Sequence, residues 1–155
     1  MALTLISSSF EHGQPIPLRH TGDGVNTSPP LAWTGVPAEA KSLALICDDP
    51  DASQKTWVHW VVYGLPPTAL MLAEGVPSTP TLPDGGSHGT TDFGTVGYGG
   101  PAPPKGKPHR YFFKLFALDA EVTLPPAATK ADLLAAMNGR ILAAAELVGT
   151  YQRGA

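Results

Sequence analysis

The hydrophobic positions of the chain fall mainly into short runs bounded by glycine, proline and other turn-forming residues. The run Ser42–Asp48 is apolar, and the run Trp57–Leu65 is aromatic and β-branched, so both predict buried β-strands. Tyr111–Leu118 predicts a third strong strand, and residues 3–6 predict a short one near the start of the chain. Most of the sequence is therefore typical of β-structure.

A helical pattern begins only near the end of the chain. Thr129 suits the N-cap position, and Asp132 stands three residues later, as in a capping box. An apolar helix face is supplied by Leu133, Leu134 and Met137. Gly139 predicts an interruption, after which a short second helix can follow. Residues 143–145 could prolong helical structure, whereas residues 147–151 could add a last strand, and the pattern leaves both open.

Two stretches, 10–30 and 75–108, are rich in turn-forming residues and predict loops. The second is too long for an ordinary connection, and such loops are usually functional or disordered. Its aromatic residues Phe93 and Tyr98 favour an ordered, functional loop. Strands first and helix late predict a mainly-β or α+β fold. No linker divides the sequence, so we expect residues 1–155 to form a single domain.

Composition and charge narrow the function classes. The formal net charge is −3 and the basic residues are scattered, which argues against nucleic acid as a partner. Cys47 is the only cysteine and lies in an apolar run, so we expect a buried, inert thiol. We find no signal-peptide pattern and no apolar run of membrane-spanning length, so we expect a cytoplasmic protein without a membrane span.

Several catalytic motifs are absent. The chain has no G-x-S-x-G sequence, no complete phosphate loop and no Cys or His pair at the usual zinc spacing. The glycines between Gly94 and Gly100 follow no clear strand and open no helix, which argues against a dinucleotide site. We therefore expect no metal, no cofactor and no assignable catalytic residue.

Acidic and histidine side chains are expected near the ends of the strands. Acidic residues surround Pro50, namely Asp48, Asp49 and Asp51. His59 stands inside an apolar strand, and His109 with Arg110 opens another. Taken singly, each has an ordinary structural interpretation: a solvated turn, a hydrogen-bonded core histidine and a surface ion pair. Their placement together favours a binding site.

Strand alternation indicates which of these side chains can meet. It places Trp57, His59 and Val61 on one face and Val58 and Trp60 on the other. His109 and Tyr111 likewise share a face. A histidine among apolar residues needs a partner, because unpaired burial costs roughly 1–3 kcal/mol, and a carboxylate partner would favour imidazolium. Together with glycine amides of a nearby loop, the histidines predict a site for phosphate or carboxylate.

These residues resemble the phosphatidylethanolamine-binding protein family, in its bacterial, Raf-kinase-inhibitor-like branch. The matching segments cover nearly the whole chain in order: 28–31 (SPPL), 48–52 (DDPDA), 57–60 (WVHW), 97–101 (GYGGP), 108–111 (PHRY) and 146–151 (ELVGTY). The combination of the Asp-Pro-Asp and His-Arg-Tyr blocks is highly specific. The branch often has cysteine where Gly22 and Ala102 stand here, so the mouth of the site could differ in shape or redox behaviour.

The resemblance implies antiparallel β-sheets packed face to face with short C-terminal helices. It also implies an anion pocket, whose ligand-binding residues by position are Asp49, Trp57, His59, Gly99, Gly100, Pro101, His109 and Tyr111. Asp51 matches the motif and could be structural. We expect Asp49, His59 and His109 to converge in space. We also expect an unusual backbone at the Asp49–Pro50 bond, with a cis peptide as its most distinctive form.

The function expected from the residues and the resemblance is binding of a small anionic or phosphorylated ligand, with a regulatory role open. One alternative is inhibition of a kinase or protease through the pocket rim. Another is a hydrolase using the two histidines, which the lack of an evident nucleophile or metal disfavours. A protein partner and a homodimer stay open. Phosphate is expected to bind more tightly below neutral pH, because imidazolium attracts anions better than imidazole.

Overall fold

The structure is a computed structural model that describes residues 2–154. The strands are β1 (Thr4–Ile6), β2 (Leu31–Thr34), β3 (Ser42–Asp49), β4 (Trp57–Leu65), β5 (Met71–Leu72), β6 (Ser87–His88), β7 (His109–Leu118) and β8 (Ile141–Tyr151). The α-helix α1 spans Lys130–Met137, and a 3-10 helix spans Leu18–His20. The four strands predicted from the hydrophobic pattern are confirmed, while β2, β5 and β6 were not predicted.

The strands form two antiparallel sheets. The larger has the order β6-β4-β3-β7-β8, and the smaller has the order β1-β2-β5. An apolar cluster joins them, to which the smaller sheet contributes Leu5 and Trp33 and the larger contributes Leu45 and Phe113. The expected packing of antiparallel sheets face to face is therefore confirmed.

A second apolar cluster lies on the other face of the larger sheet, where α1 packs. Ile46 and Val61 from the sheet meet Leu133 and Met137 from the helix. The capping box is present, because the Thr129 hydroxyl accepts from the backbone N–H of Asp132 and the Asp132 carboxylate accepts from that of Thr129. No helix within residues 2–154 is long and apolar enough to cross a membrane.

The expectation of a second C-terminal helix is wrong. The chain leaves α1 through Gly139, whose φ of 75° ends the helix, and then forms β8. This strand pairs with β7 from Leu118↔Ile141 to His109↔Tyr151. The alanines at 143–145 have high helix propensity, but a long ladder with a central strand outweighs that local preference.

A β-bulge in β4 changes which side chains face the site. Trp60 pairs with Cys47 and Val58 pairs with Asp48, so His59 is an extra residue between two consecutive positions of β3. Trp60 therefore joins the cluster between the sheets, and Val61 joins the cluster under α1. The alternation predicted for these two residues is wrong, because a regular pleat does not allow for the extra residue.

Neighbouring aspartates at the end of β3 serve opposite faces of the sheet. The buried Asp48 carboxylate lies 3.3 Å from Lys114 Nζ and 2.8 Å from Lys130 Nζ, and so ties the start of α1 to the sheet. Asp49 belongs to the site described below. Cys47, the residue before them, is buried, as predicted, and burial raises the pKa of its thiol.

Candidate functional site

A cavity of about 210 Å³ opens where β3, β4 and β7 end or begin. Its polar lining comprises Asp49, Ser53, His59, His109 and Tyr111. Its apolar lining comprises Ala52, Trp57, Phe93, Ala102, Pro103 and Pro104. The three residues expected to converge, Asp49, His59 and His109, thus surround one cavity despite their separation in sequence.

The first polar pair of the cavity joins His109 and Asp49. His109 Nδ1 donates to Asp49 Oδ2 at 2.6 Å, and the carboxylate is almost fully buried. This bond fixes the ring so that Nε2 is the free nitrogen. Nε2 makes no hydrogen bond within the described range and is not fully buried, so it is open to a ligand.

The loop after β3 is held by a second acid–base pair, formed by Asp51 and Arg110. Asp49 Oδ1 accepts from the backbone N–H of Asp51 at 2.7 Å, and the Asp51 carboxylate accepts from Arg110 Nε and Nη2, each at 2.9 Å. These bonds to Arg110 lower the pKa of the Asp51 carboxyl group. Asp51 thus has a structural role in positioning the loop. The cis form proposed for the Asp49–Pro50 bond is wrong, since no peptide bond in residues 2–154 is cis. The carboxylate-to-amide turn orients the loop without it.

His59 is bound by a backbone carbonyl rather than by the expected carboxylate. Its Nδ1 lies 2.6 Å from the Gly99 oxygen, which can only accept, so Nδ1 carries the proton. Burial of the ring lowers the pKa of His59 and outweighs the opposing effects of the Gly99 carbonyl and the Asp49 carboxylate. The ring is therefore favoured in its neutral form, with Nε2 as an acceptor that makes no hydrogen bond within the described residues.

The Tyr111 hydroxyl is a buried polar group without a hydrogen-bond partner of acceptable geometry within residues 2–154. Burial and the negative charge of Asp49 raise the pKa of this phenol, which keeps its proton. Its ring packs edge-on against His59, with centroids 5.1 Å apart. A buried hydroxyl that lacks a partner is costly, and such groups commonly mark a position for a ligand or water.

Phe93 is a member of the cavity that the sequence did not assign to it. Its ring makes edge contacts with Trp57 at 5.6 Å and His59 at 5.3 Å between centroids, and 44% of the residue is exposed. The signal available was its position as an aromatic in the long glycine- and proline-rich loop. Its place beside the histidines follows from the folding of that loop, which periodicity does not report.

The expected wall residues Gly99, Gly100 and Pro101 are not part of the cavity lining among the described residues. The Gly99 N–H donates to the His59 carbonyl at 2.9 Å, and the Gly100 N–H donates to Asn26 Oδ1 at 2.8 Å. Both amides are therefore already used, and the prediction that they approach an anion does not match this structure. Gly99 acts instead through its carbonyl, which orients His59. The cavity wall is formed by the residues that follow, beginning with Ala102.

Comparison with known proteins places this arrangement in a family. The profile of the phosphatidylethanolamine-binding protein family matches residues 6–152. The chain belongs to the phosphatidylethanolamine-binding protein family. Its relatives include a UPF0098 protein of Methanothermobacter thermautotrophicus, 54% identical over 98% of this chain and 100% of that protein. Another is a UPF0098 protein of Aquifex aeolicus, 48% identical over 97% of this chain and 89% of that one.

Two solved structures of the phosphatidylethanolamine-binding protein family share the fold. A homologue from Chlamydia trachomatis, CT736, has a TM-score of 0.90 and 42% identity, with 98% of each chain covered. E. coli YbcL, described as a new member of the mammalian family, has a TM-score of 0.91 and 36% identity, with 99% of each chain covered. The resemblance stated from the sequence is thus confirmed, and membership supports a ligand-binding role in general.

The departures from the branch at Gly22 and Ala102 fall on neighbouring positions of this family fold. A Cβ atom placed on Gly22 would lie 3.1 Å from the Ala102 Cβ, and the Gly22 N–H donates to the Pro101 carbonyl at 2.8 Å. Ala102 also lines the cavity. This chain therefore joins the two segments by a backbone hydrogen bond, with no thiol at either position.

Proposed function

We propose that the cavity binds a small oxyanion, either free or as the phosphate group of a larger molecule. The observation that carries this proposal is the grouping of the two open Nε2 atoms of His59 and His109 with the unpartnered hydroxyl of Tyr111. The three side chains line the same cavity, and each has a polar atom that forms no hydrogen bond within the described residues. Because the cavity is smaller than the roughly 300–1,000 Å³ of pockets for drug-sized molecules, it suits an ion or a head group.

Binding is favoured over hydrolysis by the lack of an activated nucleophile. Ser53 is the hydroxyl that accompanies the histidines in the lining, and within the described chain it makes no hydrogen bond to either of them. A general base needs that contact, directly or through one water, to activate a nucleophile. Stabilising a bound anion does not by itself accelerate a reaction.

The proposal is tested by calorimetric titration with inorganic phosphate. We expect saturable binding that tightens as the pH falls from about 8 to about 6, because an added proton on an imidazole supplies a positive donor. His109→Ala should weaken binding by about tenfold to a hundredfold, the equivalent of a lost charged hydrogen bond. His12→Ala serves as a matched control, because His12 is exposed and lies outside the cavity. Equal affinity in wild type and His109→Ala would contradict the proposal.

A further inference from the structure

The cavity contains an acceptor where an anion site would be expected to hold only donors. His59 Nδ1 donates its proton to the Gly99 carbonyl at 2.6 Å. In the neutral ring the other nitrogen, Nε2, then carries a lone pair. An oxygen of a fully deprotonated anion placed against it would bring two lone pairs together, which is unfavourable.

The surroundings of His59 favour this neutral state. The residue is 3% exposed, and the edges of the Phe93 and Tyr111 rings pack against it. The titratable side chains that line the cavity with it are Asp49, His109 and Tyr111, and Asp48 lies nearby on the other face of the sheet. Asp49 already accepts a bond from His109, and Asp48 is paired with two lysines. Both carboxylates near His59 therefore already have other partners.

We infer that the site selects an oxyanion that carries its own proton, with His59 Nε2 accepting the O–H of the ligand. Another ligand oxygen would accept from the Tyr111 hydroxyl. His109 Nε2 would donate to a third oxygen only when the ring carries a second proton beside the Asp49 carboxylate. Suitable ligands are hydrogen phosphate, a phosphonate or a phosphomonoester in its singly protonated form. This inference rests on the proposed function, and names the chemical class of ligand that the same cavity distinguishes.

Sulfate is the discriminating probe. Above neutral pH, phosphate is a dianion that keeps one proton, whereas sulfate is a dianion of similar size and shape without one. To bind sulfate with a full set of hydrogen bonds, His59 must take up a proton, which its burial opposes. A ligand that leaves a buried polar group of the site without a hydrogen bond binds much more weakly than one that pairs with it.

The experiment is calorimetric titration of the wild-type protein with phosphate and with sulfate, at several pH values between about 6 and 8. Near pH 8, where the two ions carry the same charge, we expect phosphate to bind at least about tenfold more tightly than sulfate. The preference should narrow as the pH falls and His59 becomes easier to protonate. Equal affinities throughout overturn the inference while leaving the proposed function intact. Failure of both ions to bind at any pH overturns the proposed function itself.

Two variants test whether His59 causes the preference for phosphate over sulfate. His59→Phe removes the acceptor, so phosphate affinity should fall towards that of sulfate. His109→Gln should weaken both ions and preserve their ratio. Nitrogen NMR of the His59 ring provides a readout that does not depend on either variant folding. In the phosphate complex we expect Nδ1 protonated and Nε2 unprotonated, and an imidazolium at His59 would overturn the inference.

Discussion

His88 is fully buried on β6, and its imidazole has room for only one proton. Nδ1 lies 2.7 Å from the Thr79 carbonyl and donates to it, while Nε2 has no partner within residues 2–154. The Trp60 ring lies beside it, with centroids 6.2 Å apart. A second proton would place an unpaired charge in the interior, and burial accordingly lowers the pKa of His88.

This lowered pKa makes stability depend on pH with a defined sign. The unfolded chain binds the proton near the ordinary value of 6.5, before the folded chain does. The free energy of unfolding is therefore fully retained above that pH and is lost as the pH falls towards the folded pKa. One proton contributes a slope of at most about 1.4 kcal/mol per pH unit. His20 and His59, also buried with lowered pKa values, act in the same direction, so the combined slope can approach about 4 kcal/mol per unit.

Urea unfolding at intervals between about pH 8 and pH 5 measures this slope, and His88→Asn isolates one contribution. The asparagine amide can still donate to Thr79, but it does not titrate. We expect the variant to be less stable at neutral pH, because a buried ring is removed, and to have a slope that is smaller, by at most one proton, over the acidic range. His12→Asn, at an exposed histidine, is the control. An unchanged slope in His88→Asn would refute the reasoning.

Three further outcomes are expected. Asp48→Asn should lower the free energy of unfolding by about 1.5–3 kcal/mol, because two charge-assisted bonds are lost. Asp119→Asn, at an exposed position, should change it little. Equal destabilisation of the two variants in urea unfolding would contradict this prediction. Gly100→Ala would place a Cβ 2.3 Å from the His20 carbonyl oxygen. This substitution should lower the free energy of unfolding by about 1–3 kcal/mol and weaken phosphate binding by displacing the adjacent Gly99. A variant with the stability and phosphate affinity of the wild type would contradict this prediction. Highly purified protein should not hydrolyse a panel of phosphoesters; saturable turnover abolished by alanine at either pocket histidine would show otherwise.

The larger sheet was predictable where local pattern and tertiary environment agree. β3 and β4 combine apolar runs with turn-forming boundaries, and both are buried as central strands. β8 was ambiguous because alanine favours helix locally, and only its long partnership with β7 decides the outcome. The two-residue strands β5 and β6 are too short to produce a period, so they were not predictable from alternation.

The candidate site was predictable in its residue types more than in its bonds. The motif segments identified five of the side chains that line the cavity, namely Asp49, Trp57, His59, His109 and Tyr111. Which histidine takes the carboxylate depends on the extra residue in β4 and on how the long loop presents Gly99. Neither is encoded in spacing along the chain. The hydrogen bond from the Gly100 N–H to Asn26 Oδ1 was not predictable for the same reason, because the two residues are distant in sequence.

The adjacent aspartates at the end of β3 also act as a check on strand alignment during folding. In the native register Asp48 meets two lysines beside α1, and Asp49 meets His109 in the cavity. A slip of one position would exchange their faces, which would leave each carboxylate buried without its partner and also reverse the apolar residues before them. Two consecutive acids with different partners thus penalise misaligned pairing twice, so the residues that build the site also help to exclude a competing fold.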